Sequence, residues 1–216
     1  MFAVSDSVDV QVHVSEPSFR TFHALRIKGF AKADVVAEVA DVDLDDAQAH
    51  LDALQADGLA MFREVRSLWQ LTPTGKELHA RLLADDVAAA GDVSAMTPIY
   101  DEFLGLNEEL KDLCGRWQLR NGQMNDHTDL AHDAAVVADL AALNDRAVPL
   151  VRQLAEVLPR LRPYADRLGQ SCQRFLQGET NMFTGVMCGS YHDVWMELHE
   201  DLILSQGIDR ATEGSF

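Results

Sequence analysis

Positive charge is scarce in this chain: 18 lysines and arginines face 35 aspartates and glutamates over 216 residues, a formal net charge of −17. Both ends share the imbalance, with 8 cations against 15 anions in the first ninety residues and 10 against 20 in the rest. Binding to nucleic acid by counterion release needs clustered cations, so strong nonspecific DNA binding is not expected, and any specific contact needs a local basic patch. Cysteine is scarce too. Cys114, Cys172 and Cys188 are odd in number and lack CxxC spacing, which argues against a disulfide framework and for inert thiols in a reducing compartment. With no signal peptide read at the start, the expected location is the cytoplasm. No apolar run is long enough to span a bilayer, so no membrane partner is expected. The phosphate-cradling, dinucleotide, G-x-S-x-G and His-Glu-x-x-His motifs are all missing, so neither an enzyme nor a cofactor is expected.

What remains is an ordinary globular composition, 47% hydrophobic and 25% charged, with a mainly helical pattern. Residues 1–14 read as an arm with loose alternation (VDVQVHV). A first helix starts at Ser15-Glu16-Pro17 and stops at Gly29. A second covers roughly 32–39, and a third runs from an Asp43 cap to Gly58, burying Ala47, Leu51 and Leu54. Residues 59–64 and 68–71 read as a hairpin turning at Val65, Arg66 and Ser67. Thr72-Pro73 opens another helix, and residues 84–94 are a linker or the end of that helix. Long helices then follow from Thr97 and from Thr128, the second with a kink expected at Pro149. Residues 121–127 form a polar loop between them. A helix over 164–176 and a last one from Ser190 to Gly207 complete the pattern, and residues 209–216 read as a tail. The expected domains are therefore 15–88 and an all-helical bundle over 96–208.

The segment from Asp43 to Leu59, with the phrase LWQLTPTGKELHARLL, carries a resemblance covering about a quarter of the chain. Residues 41–83 resemble the winged helix-turn-helix regulators of the MarR-like type. That resemblance implies DNA binding by the third helix, a sensor and dimerisation domain behind it, and a homodimer that responds to a small-molecule effector of unknown identity. Asp45, Asp46, Gln48 and Ala49 would then face bases, and Arg20, Lys28, Arg63 and Arg66 would meet the backbone. The third helix departs from the family, however: DLDDAQAHLDALQADG holds five aspartates and no cation, and aspartates oppose the phosphate potential. The phrases NDHTDLAHDAAVVADLAAL and SYHDVWMELHEDLI more weakly resemble segments associated with phosphoenolpyruvate-utilising phosphotransferase systems.

Three further groups of residues carry chemistry. Trp117, Tyr164, Phe175, Phe183, Met187, Tyr191, Trp195 and Met196 would line a ligand pocket between helices, or else pack a core or an interface. His127, His132, His192 and His199, with neighbouring carboxylates, are of the types that bind zinc or iron, although no pair has helical His-x-x-x-His spacing. Arg160, Arg162 and Arg167 around Pro163 are a lesser cationic cluster for an anionic ligand such as an acyl-CoA or a phosphate.

Two functions follow. The first is a one-component transcriptional regulator with a winged helix and a helical effector-binding and dimerisation domain. The alternative is an acidic adaptor or regulatory subunit that docks proteins through a winged helix no longer reading DNA, with a phosphoenolpyruvate-utilising enzyme as one possible partner.

Overall fold

The computed structural model describes residues 13–209, a mainly helical protein with two hydrophobic clusters. All but the first residue of the expected tail, and all but the end of the expected arm, lie outside the described residues. The smaller cluster is built by three helices and a hairpin. Helix α1 (Pro17–Lys28) begins on a proline whose missing N–H costs nothing in the first turn, and ends at Gly29 with φ +70°. Helix α2 (Ala33–Ala40) stops at Asp41, which adopts the left-handed conformation, and α3 (Leu44–Ala56) follows after a short turn. Phe22, Leu25, Val36, Leu51, Trp69 and Leu71 meet in the middle. Asp43 stands at the start of α3 as expected, but its side chain makes no capping hydrogen bond, and Leu44 is half exposed.

Strands β1 (Ala60–Arg63) and β2 (Leu68–Leu71) pair antiparallel, Ala60 opposite Leu71 and Arg63 opposite Leu68. A single antiparallel bridge from Ala31 to Trp69 ties the α1–α2 connection to this hairpin. The motif Leu71-Thr72-Pro73-Thr74-Gly75 has a direct physical reading. The Thr72 hydroxyl accepts from the Gly75 N–H (3.0 Å) and donates to the Gly58 carbonyl (2.8 Å), so one side chain caps the next helix and fastens it to the end of α3. Pro73 takes the first helical position. Gly75 is required because any Cβ there would overlap the Leu59 carbonyl oxygen.

Helix α4 (Pro73–Ala90) is continuous through most of the stretch read as a linker or helix end, and breaks only at Gly91. The larger cluster follows. Helix α5 (Met96–Gln118) is joined to α6 (Leu130–Val157) through a small hairpin, β3 (Leu119–Arg120) and β4 (Gln123–Met124). Asn121 and Gly122 turn this hairpin, both with positive φ, the usual chemistry of a tight two-residue hairpin turn. The Asp129 carboxylate caps α6 by accepting from the N–H groups of Ala131 and His132, and Pro149 is accommodated inside the helix. A 3-10 turn leads into α7 (Arg162–Leu176). Then come the single turn α8 (Asn181–Thr184) and α9 (Tyr191–Gln206), capped by Ser190 and ended by a left-handed Gly207. The two clusters meet where α1 and α4 lie against α9 and α2 touches α7. Among the described residues no helix is long and apolar enough to cross a membrane.

Candidate functional site

The exposed side of α3 is acidic. Asp43, Asp45, Asp46 and Asp52 are exposed, as is Ala49, and the half-buried Gln48 donates from Nε2 to Asp52 Oδ1 (2.9 Å). The β1–β2 turn offers a contrast: Arg63 and Arg66 are exposed on either side of Val65, whose side chain is wholly in solvent. The cations of α1 are committed elsewhere. Arg20 donates from Nη1 to the Asp41 carbonyl (3.0 Å), Arg26 pairs with Glu200 (3.2 Å), and Lys28 Nζ lies 2.5 Å from Glu197 Oε1. The expectation that Arg20 and Lys28 present their charge to a phosphate backbone therefore needs correction. The first is held by the end of α2 and the second by α9.

These pairs border a buried polar seam between the two clusters. Arg160, just before α7, is its hub. Its Nη1 lies 2.5 Å from Asp201 Oδ1 and its Nη2 donates to Ser205 Oγ (2.6 Å), while Nε is 3.4 Å from Asp86 Oδ2 at the far end of α4. Asp86 also accepts from Ser15 Oγ and approaches His13 Nε2 (2.8 Å). The second Asp201 oxygen accepts from the Tyr164 hydroxyl (3.2 Å) and sits 3.0 Å from His23 Nε2. His23 Nδ1 in turn lies 2.9 Å from His79 Nε2. With His79 Nε2–H donating to His23 Nδ1 and His23 Nε2–H donating to Asp201, both imidazoles are neutral and the two contacts are satisfied. Arg160 Nη1, 3.2 Å from His23 Nε2, is left to donate to Asp201 Oδ1.

The electrostatics follow from this packing. Burial pushes His23 below the ordinary histidine range against the upward pull of Asp201, and pushes His79 down to about 3, with His23 and Arg26 adding to the effect. Burial opposes ionisation of Asp201, yet Arg160 and His23 outweigh it and hold the carboxyl below the usual carboxylate range. Burial, then the Asp201 charge, raises Tyr164. Ser205, His23 and Asp201 are the residue types of a hydrolase, but they are not arranged as a hydrogen-bonded Ser-His-Asp relay. Ser205 Oγ accepts from Arg160 Nη2 and lies 2.9 Å from Asp201 Oδ1, so its partners are the guanidinium and the carboxylate and not His23.

A cleft of about 320 Å³ opens at the edge of the seam, between α1, α2, α7 and the α8–α9 connection. Of the expected ligand-pocket set only Met187 lines it. Trp117, Tyr164, Phe175, Phe183, Tyr191 and Trp195 are buried in the larger cluster, where they pack its core. Trp117 and Phe175 meet edge to face with ring centres 5.0 Å apart, Phe175 and Phe183 are 5.1 Å apart, and Trp195 Nε1 donates to Asn107 Oδ1 (2.9 Å). Met196 is exposed. The metal expectation is also corrected: no group of three or more His, Cys, Asp or Glu side chains among the described residues is placed to hold a metal ion. His127 Nδ1 faces Asp133 (3.0 Å), His132 Nε2 faces the Arg116 carbonyl (2.9 Å), His199 Nε2 lies 3.3 Å from the Tyr100 hydroxyl, and His192 is half-buried. Arg162, from the lesser cationic cluster, is exposed, whereas Arg160 and Arg167 are buried.

Sequence reasoning missed the seam. His23 and His79 stand in apolar helical stretches (TFHALRI, ELHARLL) and Asp201 in EDLIL. A lone polar letter within a buried stripe was the available signal, but it does not name its partner. No family model, curated protein or solved structure matches this chain.

Proposed function

We propose that this chain is a regulatory protein whose winged helix docks a basic protein surface through the acidic face of α3. The three helices, the hairpin, the Ala31–Trp69 bridge and the Leu-Thr-Pro-x-Gly junction support the winged helix and its likeness to the MarR-like type. One observation carries the docking function. The cations of α1 are neutralised by Asp41, Glu200 and Glu197, which leaves Asp45, Asp46 and Asp52 unopposed on the exposed face of α3. A phosphate backbone approaching this face meets like charge, whereas a lysine- and arginine-rich protein surface meets its complement. The weak resemblance of the helical half to phosphotransferase-associated segments makes a component of such a system the first partner to test.

A second reading, a DNA-binding one-component regulator acting as a homodimer, is favoured by one feature, the exposed pair Arg63 and Arg66 at the hairpin tip. The two readings part on one sample. The natively purified chain is titrated against its own upstream DNA at about 50 mM salt, where phosphate contacts are strongest, and its co-purifying proteins are identified. Docking predicts no salt-dependent DNA binding and a stoichiometric partner that is lost in D45K/D46K. Tight DNA binding that weakens with salt and is lost in R63A/R66A would establish the regulator instead.

A further inference from the structure

A second cleft, of about 400 Å³, lies between α1, α3 and α4. Phe19, Phe22, Leu54, Leu59, Leu78 and Leu82 wall it, and no lysine or arginine lines it. The cleft is polarised along its length. Glu16 and Phe19, three residues apart, share one face at the start of α1, while Leu78, Leu82 and Asp86 follow at intervals of four on α4. Contacts of Ser15 with Asp86 and of His23 with His79 set the two helices antiparallel. Glu16 and Asp86 therefore stand together at one end, and Leu59, which accepts from Thr72 at the start of α4, stands at the other. The acidic end is not neutralised. The Asp86 side chain is 8% exposed and meets His13 Nε2 (2.8 Å), Ser15 Oγ (3.0 Å) and Arg160 Nε (3.4 Å). That guanidinium is shared with Asp201, 2.5 Å from its Nη1. Glu16 is exposed, with no cation beside it among the described residues. Glu16, Asp86 and Asp201 thus face one arginine, so at least one negative charge is uncompensated even when His13 is protonated.

We propose that this cleft binds a small hydrophobic amine, with its ammonium at the Glu16 and Asp86 end and its apolar body against Phe22, Leu54 and Leu59. An ammonium brings three donors and the missing positive charge to that end. A carboxylic acid of the same shape meets like charge there, and a neutral molecule gains only the apolar walls. The volume is at the small end of ligand pockets, so the body is about the size of a phenyl ring on a short chain. Leu82, 37% exposed, closes the side of the cleft open to solvent. The site is independent of which macromolecule Asp45 and Asp46 meet, although α3 contributes a wall through Leu54.

Calorimetric titration of the full chain with 2-phenylethylamine, 2-phenylethanol and phenylacetate tests the assignment. The amine is expected to bind tightest, and the alcohol, which has the same ring without the charge, about tenfold more weakly. Phenylacetate is expected not to bind. Added salt weakens the amine and leaves the alcohol unchanged. Since D86N also disturbs Arg160 and can unfold the protein, the deciding variants are at exposed residues. E16Q lowers the affinity for the amine severalfold and spares the alcohol, whereas L82Q weakens both. Absence of amine binding, phenylacetate binding as well as the amine, or an amine affinity unchanged in E16Q or in L82Q would each overturn the assignment.

Discussion

Arg160 Nη1 lies 2.5 Å from Asp201 Oδ1, with 3% and 2% of the two side chains exposed, and this contact joins the start of α7 to α9 beneath α1. Removing one partner leaves the other as a buried uncompensated charge. D201N is therefore expected to destabilise the chain by about 3–5 kcal/mol, read from urea denaturation. A cost below about 1 kcal/mol would show that the seam tolerates an unpaired Arg160, as surface pairs do.

Acid should loosen the same seam. Both buried histidines have folded-state values depressed below the ordinary 6.5, so the unfolded chain takes up protons first as pH falls. Their contribution is complete above about pH 6.5 and is lost as pH falls from there toward the depressed values, about 3 for His79. The slope is up to about 1.4 kcal/mol per pH unit for each histidine. Asp201, held below the usual range, stays ionised through the upper part of that window and adds to the loss only at its acid end. Stability against urea between pH 7 and pH 4.5 measures the slope, and H79Q should make it shallower. A flat profile in the parent chain would contradict the buried neutral pair.

The α3–α4 junction gives a local test. G75A forces a Cβ into the Leu59 carbonyl and should cost more than about 2 kcal/mol, within the range of severe single substitutions. T72A loses a cap and a tie to Gly58, for about 1 kcal/mol. Thr74, exposed between them, should accept alanine within about 0.5 kcal/mol. Melting temperatures of the three variants check the order, and equal losses would remove the special role of the motif.

Charge reversal on α3 separates docking from folding. Asp45 and Asp46 are exposed in the first turn of α3, where lysine opposes the helix dipole, so D45K/D46K should cost about 1–2 kcal/mol and leave the chain folded. The same variant should gain weak, salt-sensitive DNA affinity, because two lysines would then stand where a phosphate approaches. Titration of labelled duplex at several salt concentrations checks this. If D45K/D46K bound DNA no better than the parent, the α3 face would be unable to approach a duplex at all.

Much of the fold was legible in the letters. The Leu-Thr-Pro-x-Gly phrase placed a strand end and a helix start, and both are present at Leu71 and Thr72, whereas the close approach of Gly75 to the Leu59 carbonyl emerged only from the structure. The hairpin over residues 60–71 and the Ser190–Gly207 limits of α9 were equally readable, because turns and caps are short-range chemistry. Asn121-Gly122 was also readable as a hairpin turn, although the polar composition around it reads as a loop. The aromatic residues of the second half misled for a general reason. A pocket and a core use the same residue types, and only packing distinguishes them.

The sequence by itself determined most of the long helices and the acidity of α3, since propensity, capping and charge are properties of neighbouring residues, while the full length of α4 and the single turn α8 were not legible in it. Only the tertiary structure decided where the cations go. Lys28 and Glu197 are 169 positions apart, and Arg160 and Asp86 are 74 apart. No periodicity along the chain records such pairings. They arise when α1 and α4 pack on α9, and once they form, burial turns ordinary-looking histidines, arginines and aspartates into a single neutralised network.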